Sequence, residues 1–182
     1  MSKLLREYHG LVYSRDTIKE AKEKKEPVVV KALLQRADAR NQNGRIYPEE
    51  ILVREVENYK KAIEEGRATG ELDHPESSVV NLSNISHCLR EIWWEGNDVL
   101  GMVEILPTPK GKIALDLMGA GIKLGISSRG VGETRKNETG DDVVEEDFML
   151  VCSSYGWWFL CLSRVLVHIT YKKRYFFPKL FV

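Results

Sequence analysis

The chain has 182 residues, 43% hydrophobic and 30% charged, with 27 basic against 27 acidic side chains. That length suits one compact domain with a sizeable core, and the balanced charge gives no net field toward nucleic acid or an anionic membrane, so neither is expected as a partner. Three cysteines (Cys88, Cys152, Cys161) form no metal-like pair, and the N-terminal run lacks the apolar stretch of a signal peptide, which together favour a reducing compartment and cytosolic synthesis over secretion.

Residues 14–26 are polar and rich in lysine and glutamate, and read as a solvated helix or loop. Pro27 then opens Val28-Val29-Val30-Lys31-Ala32-Leu33-Leu34, a β-branched run that predicts a strand. Asn41-Gln42-Asn43-Gly44-Arg45 is turn chemistry. Pro48, Glu49 and Glu50 mark a helix start, because proline fits the first turn and carboxylates suit the positive end of the dipole. Leu52, Val56, Tyr59 and Ile63 make one apolar stripe, and Gly66 stops the helix. A further strand is expected to run into His74.

Residues 85–94 and 98–106 predict two strands joined across Glu95-Gly96-Asn97, a hairpin signal. Pro107-Thr108-Pro109-Lys110-Gly111 breaks the chain, and Ile113, Ala114, Leu117 and Met118 suggest a short helix stopped by Gly119 and Gly121. A strand through Ser127 follows, then a polar turn over 137–142 and a strand over 143–152. Strands mixed with interspersed helices make the fold α+β.

The tail differs. Residues 156–182 hold two of the four tryptophans, a basic cluster at Lys172-Lys173-Arg174 and no acidic residue. Arg164 and that cluster interrupt the apolar runs too early for a membrane span of roughly 20 residues. The chain therefore divides into a domain over 1–155 and an atypical hydrophobic and basic tail over 156–182. A shift of reading frame near Tyr155 is the preferred explanation of the tail.

Ser127 lies in Leu124-Gly125-Ile126-Ser127-Ser128-Arg129-Gly130, and His74 in Gly70-Glu71-Leu72-Asp73-His74-Pro75. Together they offer a hydroxyl nucleophile and a base that titrates near neutrality. If Leu124 and Ile126 face the core, strand alternation sends Ser127 and Arg129 to the opposite face and Ser128 inward. The amides after the serine are candidates for an oxyanion hole. Each run alone is weak evidence, since Ser-Ser-Arg-Gly is as readily a strand end and His74 a hydrogen-bonded loop histidine. The spacing is not the nucleophile elbow, because Gly130 comes one residue late, and Gly119-Ala120-Gly121 with Gly125 misses the dinucleotide fingerprint. Cys88 is a rival nucleophile. A zinc site from His74, His87 and Cys88 is disfavoured because adjacent strand residues face opposite ways.

Four runs in order resemble the prohead core proteases of contractile-tailed bacteriophages. They are Asn43-Gly44-Arg45-Ile46-Tyr47-Pro48, the run ending at His74-Pro75, Trp93-Trp94-Glu95-Gly96-Asn97-Asp98-Val99, and Gly125 through Gly130. The resemblance spans about residues 28–150. It implies a serine endopeptidase with an assemblin-like α+β fold, a mainly antiparallel sheet or partly closed barrel with a few surrounding helices. It further implies a homo-oligomer in the host cytoplasm, inside the prohead, cleaving scaffold, core and major capsid proteins without a metal or cofactor. By this resemblance His74 and Ser127 are catalytic and Arg129 supports the oxyanion. The third catalytic group stays open among Glu71, Asp73, His87 and a residue of the tail. The resemblance departs near Gly156, where an acidic residue is expected. The alternative from another class is a non-catalytic or inactivated capsid-assembly module that binds scaffold.

Overall fold

The structure, a computed structural model, describes residues 3–73 and 80–156, the last five by their backbone alone. Among these residues ten strands and three helices form, in the order β1 Lys3–Val12, α1 Arg15–Lys24, β2 Val28–Arg36, β3 Arg45–Ile46, α2 Glu49–Glu64, β4 Thr69–Leu72, β5 Ile85–Glu95, β6 Asp98–Ile105, α3 Pro109–Gly119, β7 Gly125–Gly132, β8 Thr134–Lys136, β9 Asp142–Val144 and β10 Met149–Gly156. Seven strands close a barrel in the order β1-β2-β6-β5-β4-β10-β7, and β3-β9-β8 make a small second sheet. Within the barrel the pairs are antiparallel except β4 with β10. The α+β expectation holds, with the sheet curled into a barrel.

Alternation along β2 explains how the barrel fills. Val28, Val30, Ala32 and Leu34 are buried, while Lys31 faces water. They pack with Leu89 and Ile92 of β5, Val99, Val103 and Ile105 of β6, and Ile126 of β7. Gly101 leaves room here, since a Cβ would stand 2.8 Å from both Leu34 and Leu89. Slips of register at Leu33/Gln35 and Leu89/Glu91 bend the strands around the core. The predicted hairpin forms with Glu95 paired to Asp98 and Gly96 at φ 61.

The helices plug and cover this barrel. The stripe Leu52, Val56 and Tyr59 of α2 is buried as expected, and the first turn is held where Asp38 accepts from the Glu49 amide at 3.1 Å. Residues 15–24 resolve as helix α1, capped by Ser14 accepting from the Thr17 amide at 3.1 Å. The break expected over 107–111 is shorter and ends where α3 begins at Pro109. Thr108 caps α3 by accepting from the Gly111 amide at 3.0 Å, and Pro109 sits in the first turn, the position where proline suits a helix.

Two further expectations change. The strand expected over 143–152 is two strands, because Glu145-Glu146-Asp147-Phe148 turns back, with the Phe148 amide donating to the Glu145 carbonyl at 3.1 Å. Residues 3–12, which carry no clear strand pattern, form β1 and close the barrel against β7 from Lys3↔Gly132 to Gly10↔Gly125. β1 meets β2 only at Leu11↔Ala32 and Val12↔Lys31, so a loose seam remains along its first part. Asn43 and Arg45 fill that seam: their side chains donate to the Arg6 carbonyl at 2.9 and 3.2 Å.

Gly111 is required by contact rather than by backbone angle. A Cβ there would run into the Leu106 carbonyl oxygen and stand 2.7 Å from that of Ser86, and the Leu106 amide already donates to Ser86 at 2.9 Å. Gly111→Ala is therefore expected to cost about 1–3 kcal/mol, as overpacking does, read as a lowered urea midpoint at unchanged slope.

Candidate active site

β7 carries the serine. Ile126 belongs to the barrel core, and the Ser128 hydroxyl accepts from Gln35 Nε2 at 3.2 Å beside a small cavity lined by Leu34, Val56, Leu89 and Val99. Alternation then places Ser127 and Arg129 together on the other face of β7. Both are 0% exposed. The Ser127 Oγ donates to the Ser128 carbonyl at 3.2 Å, a resting arrangement rather than one poised for attack.

Across the sheet, Ser127 pairs with Ser154 of β10, and Ser154 pairs with Glu71 of β4. Glu71 and Ser127 thus share one row, two strand spacings or about 10 Å apart. The long side chain of Arg129 bridges that gap: its Nη2 donates to Glu71 Oε2 at 2.5 Å, and both side chains are fully buried. The other oxygen, Oε1, accepts from the Asn81 amide at 2.8 Å. A register slip where Glu71 faces Ile85 aims the carboxylate into this position. Removing one partner of such a pair costs about 3–5 kcal/mol, because an uncompensated charge is left inside.

β4 ends at Leu72, and Asp73 follows in the left-handed region at φ 73, exposed to solvent. His74 comes next in sequence and lies outside the described residues, as does the tail beyond Gly156. Of the groups considered to orient the histidine, Glu71 has both carboxylate oxygens engaged and Asp73 faces water. His87, opposite Gly70, is 1% exposed, with Nδ1 2.9 Å from the Ser86 hydroxyl. Burial lowers its pKa to about 3, so it is a neutral imidazole at physiological pH.

Ser128 and Arg129 are paired with β1 on one side and β10 on the other, and the β10 ladder slips beside Arg129, between Leu150 and Cys152. Cys88 is buried, and desolvation raises its thiol pKa, which disfavours the thiolate that nucleophilic attack requires.

The motif Asn43-Gly44-Arg45-Ile46-Tyr47-Pro48 resolves into a clamp on a residue the sequence reading passed over. Glu7 of β1 is 1% exposed and faces Ser128 in the ladder. Its carboxylate accepts from Asn43 Nδ2 at 2.7 Å, Arg45 Nη1 at 2.8 Å and the Tyr47 hydroxyl at 2.8 Å. Tyr47 meets Phe148 edge-on at 5.3 Å, and both its burial and the Glu7 charge hold its hydroxyl protonated. The sequence signal for Glu7 is the run of three donors, Asn43, Arg45 and Tyr47, within five residues, which no search for nucleophiles would weigh.

The closed barrel thus carries a buried serine strand and a buried carboxylate–guanidinium pair on one sheet. The description "prohead core protein serine protease" belongs to the family whose profile matches residues 9–163, and the chain belongs to that family. It is 30% identical over 133 residues to the prohead core protein protease of Enterobacteria phage T4, covering 71% of this chain and 62% of that protein. The chain thus spans less than two thirds of that relative's length. The structure of the bacteriophage T4 capsid assembly protease, gp21, superposes with a TM-score of 0.73 at 25% identity, covering 86% of this chain and 98% of that one.

The neutral, buried His87 makes stability depend on pH with a defined sign. Its folded pKa lies below the ordinary value near 6.5, so the unfolded chain binds the proton more readily. Its contribution is complete above about pH 6.5 and is lost as pH falls toward 3, on the order of 1 kcal/mol per pH unit. Urea midpoints between pH 7 and 4 are expected to fall, with a shallower slope in a folded His87→Phe variant.

Proposed function

We propose that this chain is a serine endopeptidase of phage capsid maturation, with Ser127 as nucleophile and His74 as the base that takes and returns its proton. Family membership supports the reaction class. The carrying observation is the row that links β7 to β4: the strand bearing Ser127 is tied by Arg129 to the strand that leads into His74. Arg129 stands two residues from Ser127 on the same face, so its positive charge lies near where an oxyanion would develop. Because Ser127 is buried and its hydroxyl turned to the Ser128 carbonyl, attack requires that the hydroxyl rotate and that the site open to a substrate backbone. No metal or cofactor enters this scheme.

The substrates proposed are the scaffold, core and major capsid proteins, met inside the prohead in the host cytoplasm. The residues over 1–155 act as the protease domain in this reading. The alternative, a capsid-assembly module that binds scaffold without cutting it, has no observation in its favour beyond the resting serine.

A fluorophosphonate probe tests the reaction. Labelling is expected at Ser127, and Ser127→Ala and His74→Ala should each lower it at least about a thousandfold. Folded wild-type protein that never labels, also when co-expressed with scaffold, points to the binding module. Labelling that survives Ser127→Ala moves the nucleophile elsewhere.

A further inference from the structure

We propose that Glu71 is a positioning residue, a single carboxylate that fixes both ends of the segment bearing His74 against the strand bearing Ser127; this rests on the protease reading above. One end of the segment is β4 itself, from which Glu71 projects. The other is Asn81, whose amide donates to Glu71 Oε1 at 2.8 Å. Between them stand nine residues, 72–80. The second oxygen holds Arg129 on β7. The two oxygens therefore divide one charge between the exit of the segment and the nucleophile's strand.

The exit is itself stiff. Asn81 Oδ1 accepts from the Ser83 amide at 3.0 Å and caps the single 3-10 turn at Leu82–Asn84. The next residue, Ile85, gives its carbonyl to the Thr108 hydroxyl at the start of α3. A chain of contacts thus runs from Arg129 through Glu71 and Asn81 to the α3 cap. Glu71 sits at the register slip between β4 and β5, and such slips are a common means of aiming one side chain. A buried ion pair adds little stability over apolar side chains of similar size. Its value here is geometric: a carboxylate accepts from two directions at once, which neither a glutamine nor a leucine can do with these donors.

The test uses the full chain in two variants, Glu71→Gln and the paired Glu71→Leu with Arg129→Met. The pair removes both charges of the ion pair together, which is expected to spare the fold better than the single change. Both are read by thermal midpoint and by hydrogen exchange at the Asn81 amide, and Glu71→Gln, which leaves Arg129 in place, also by fluorophosphonate labelling at several probe concentrations. We expect exchange at Asn81 to quicken about tenfold or more on loss of a charged acceptor. We expect the maximal labelling rate to fall about a hundredfold, as small misplacements of reacting groups do, while the half-saturating probe concentration moves by less than about threefold. Wild-type exchange at Asn81, or a wild-type maximal rate in a folded variant, overturns the proposal. If the unsubstituted chain never labels yet Asn81 is released by the substitutions, the protease reading falls and the tie from Glu71 to Asn81 stands.

Discussion

One buried contact, Arg129 to Glu71, organises everything near Ser127. Two strands separated by a third are held at a fixed distance by a guanidinium and a carboxylate, neither of which touches water. In a low-dielectric interior an unpaired charge is costly, so the contact favours both strands being in place together. The constraint extends beyond the pair, because the same carboxylate receives the amide of Asn81. Local sequence thus meets long-range geometry: Arg129 contacts Glu71 of β4, and Glu71 contacts the amide of Asn81.

A second carboxylate does comparable work on the inner face of the neighbouring strand, β1. Glu7 gathers Asn43, Arg45 and Tyr47 and stands opposite Ser128, whose hydroxyl is engaged by Gln35. The backbone of the serine strand is therefore braced from within by a satisfied polar network and from without by an ion pair. A strand holding a reactive group needs such rigidity on both faces. It also explains why a turn-like hexapeptide far from Ser127 in sequence belongs to the same functional unit.

Much of the framework was legible because each readable element obeys a simple period. The β-branched run after Pro27 made a strand, the stripe from Leu52 to Tyr59 made a helix, and Glu95-Gly96-Asn97 made a hairpin. The inward Ser128 also followed from alternation. What was not legible involved charges in the interior. β1 escaped notice because Glu7, at a core position, breaks the apolar pattern of residues 3–12. α3 began earlier than expected because its cap, Thr108 before Pro109, reads equally as a turn. The ladder pairing of Ser128 and Arg129 depends on neighbours far along the chain, and so does the partner of Arg129. The family resemblance implies roles for His74, Ser127 and Arg129; it carries no sign of the Arg129–Glu71 partnership.

The way the barrel is sealed bears on how any polypeptide could be gripped. Proteins often capture an extended chain by letting it join an exposed sheet edge, with main-chain bonds supplying the affinity. Here the loose seam beside β1 is already occupied, since Asn43 and Arg45 bond the Arg6 carbonyl, and the start of β10 is likewise taken where Glu55 accepts from the Leu150 amide at 2.8 Å. Augmentation at those two points is blocked by the protein's own side chains. A polypeptide could join the sheet at those stretches only by displacing Asn43, Arg45 or Glu55, so the main chain there is guarded by three particular side chains.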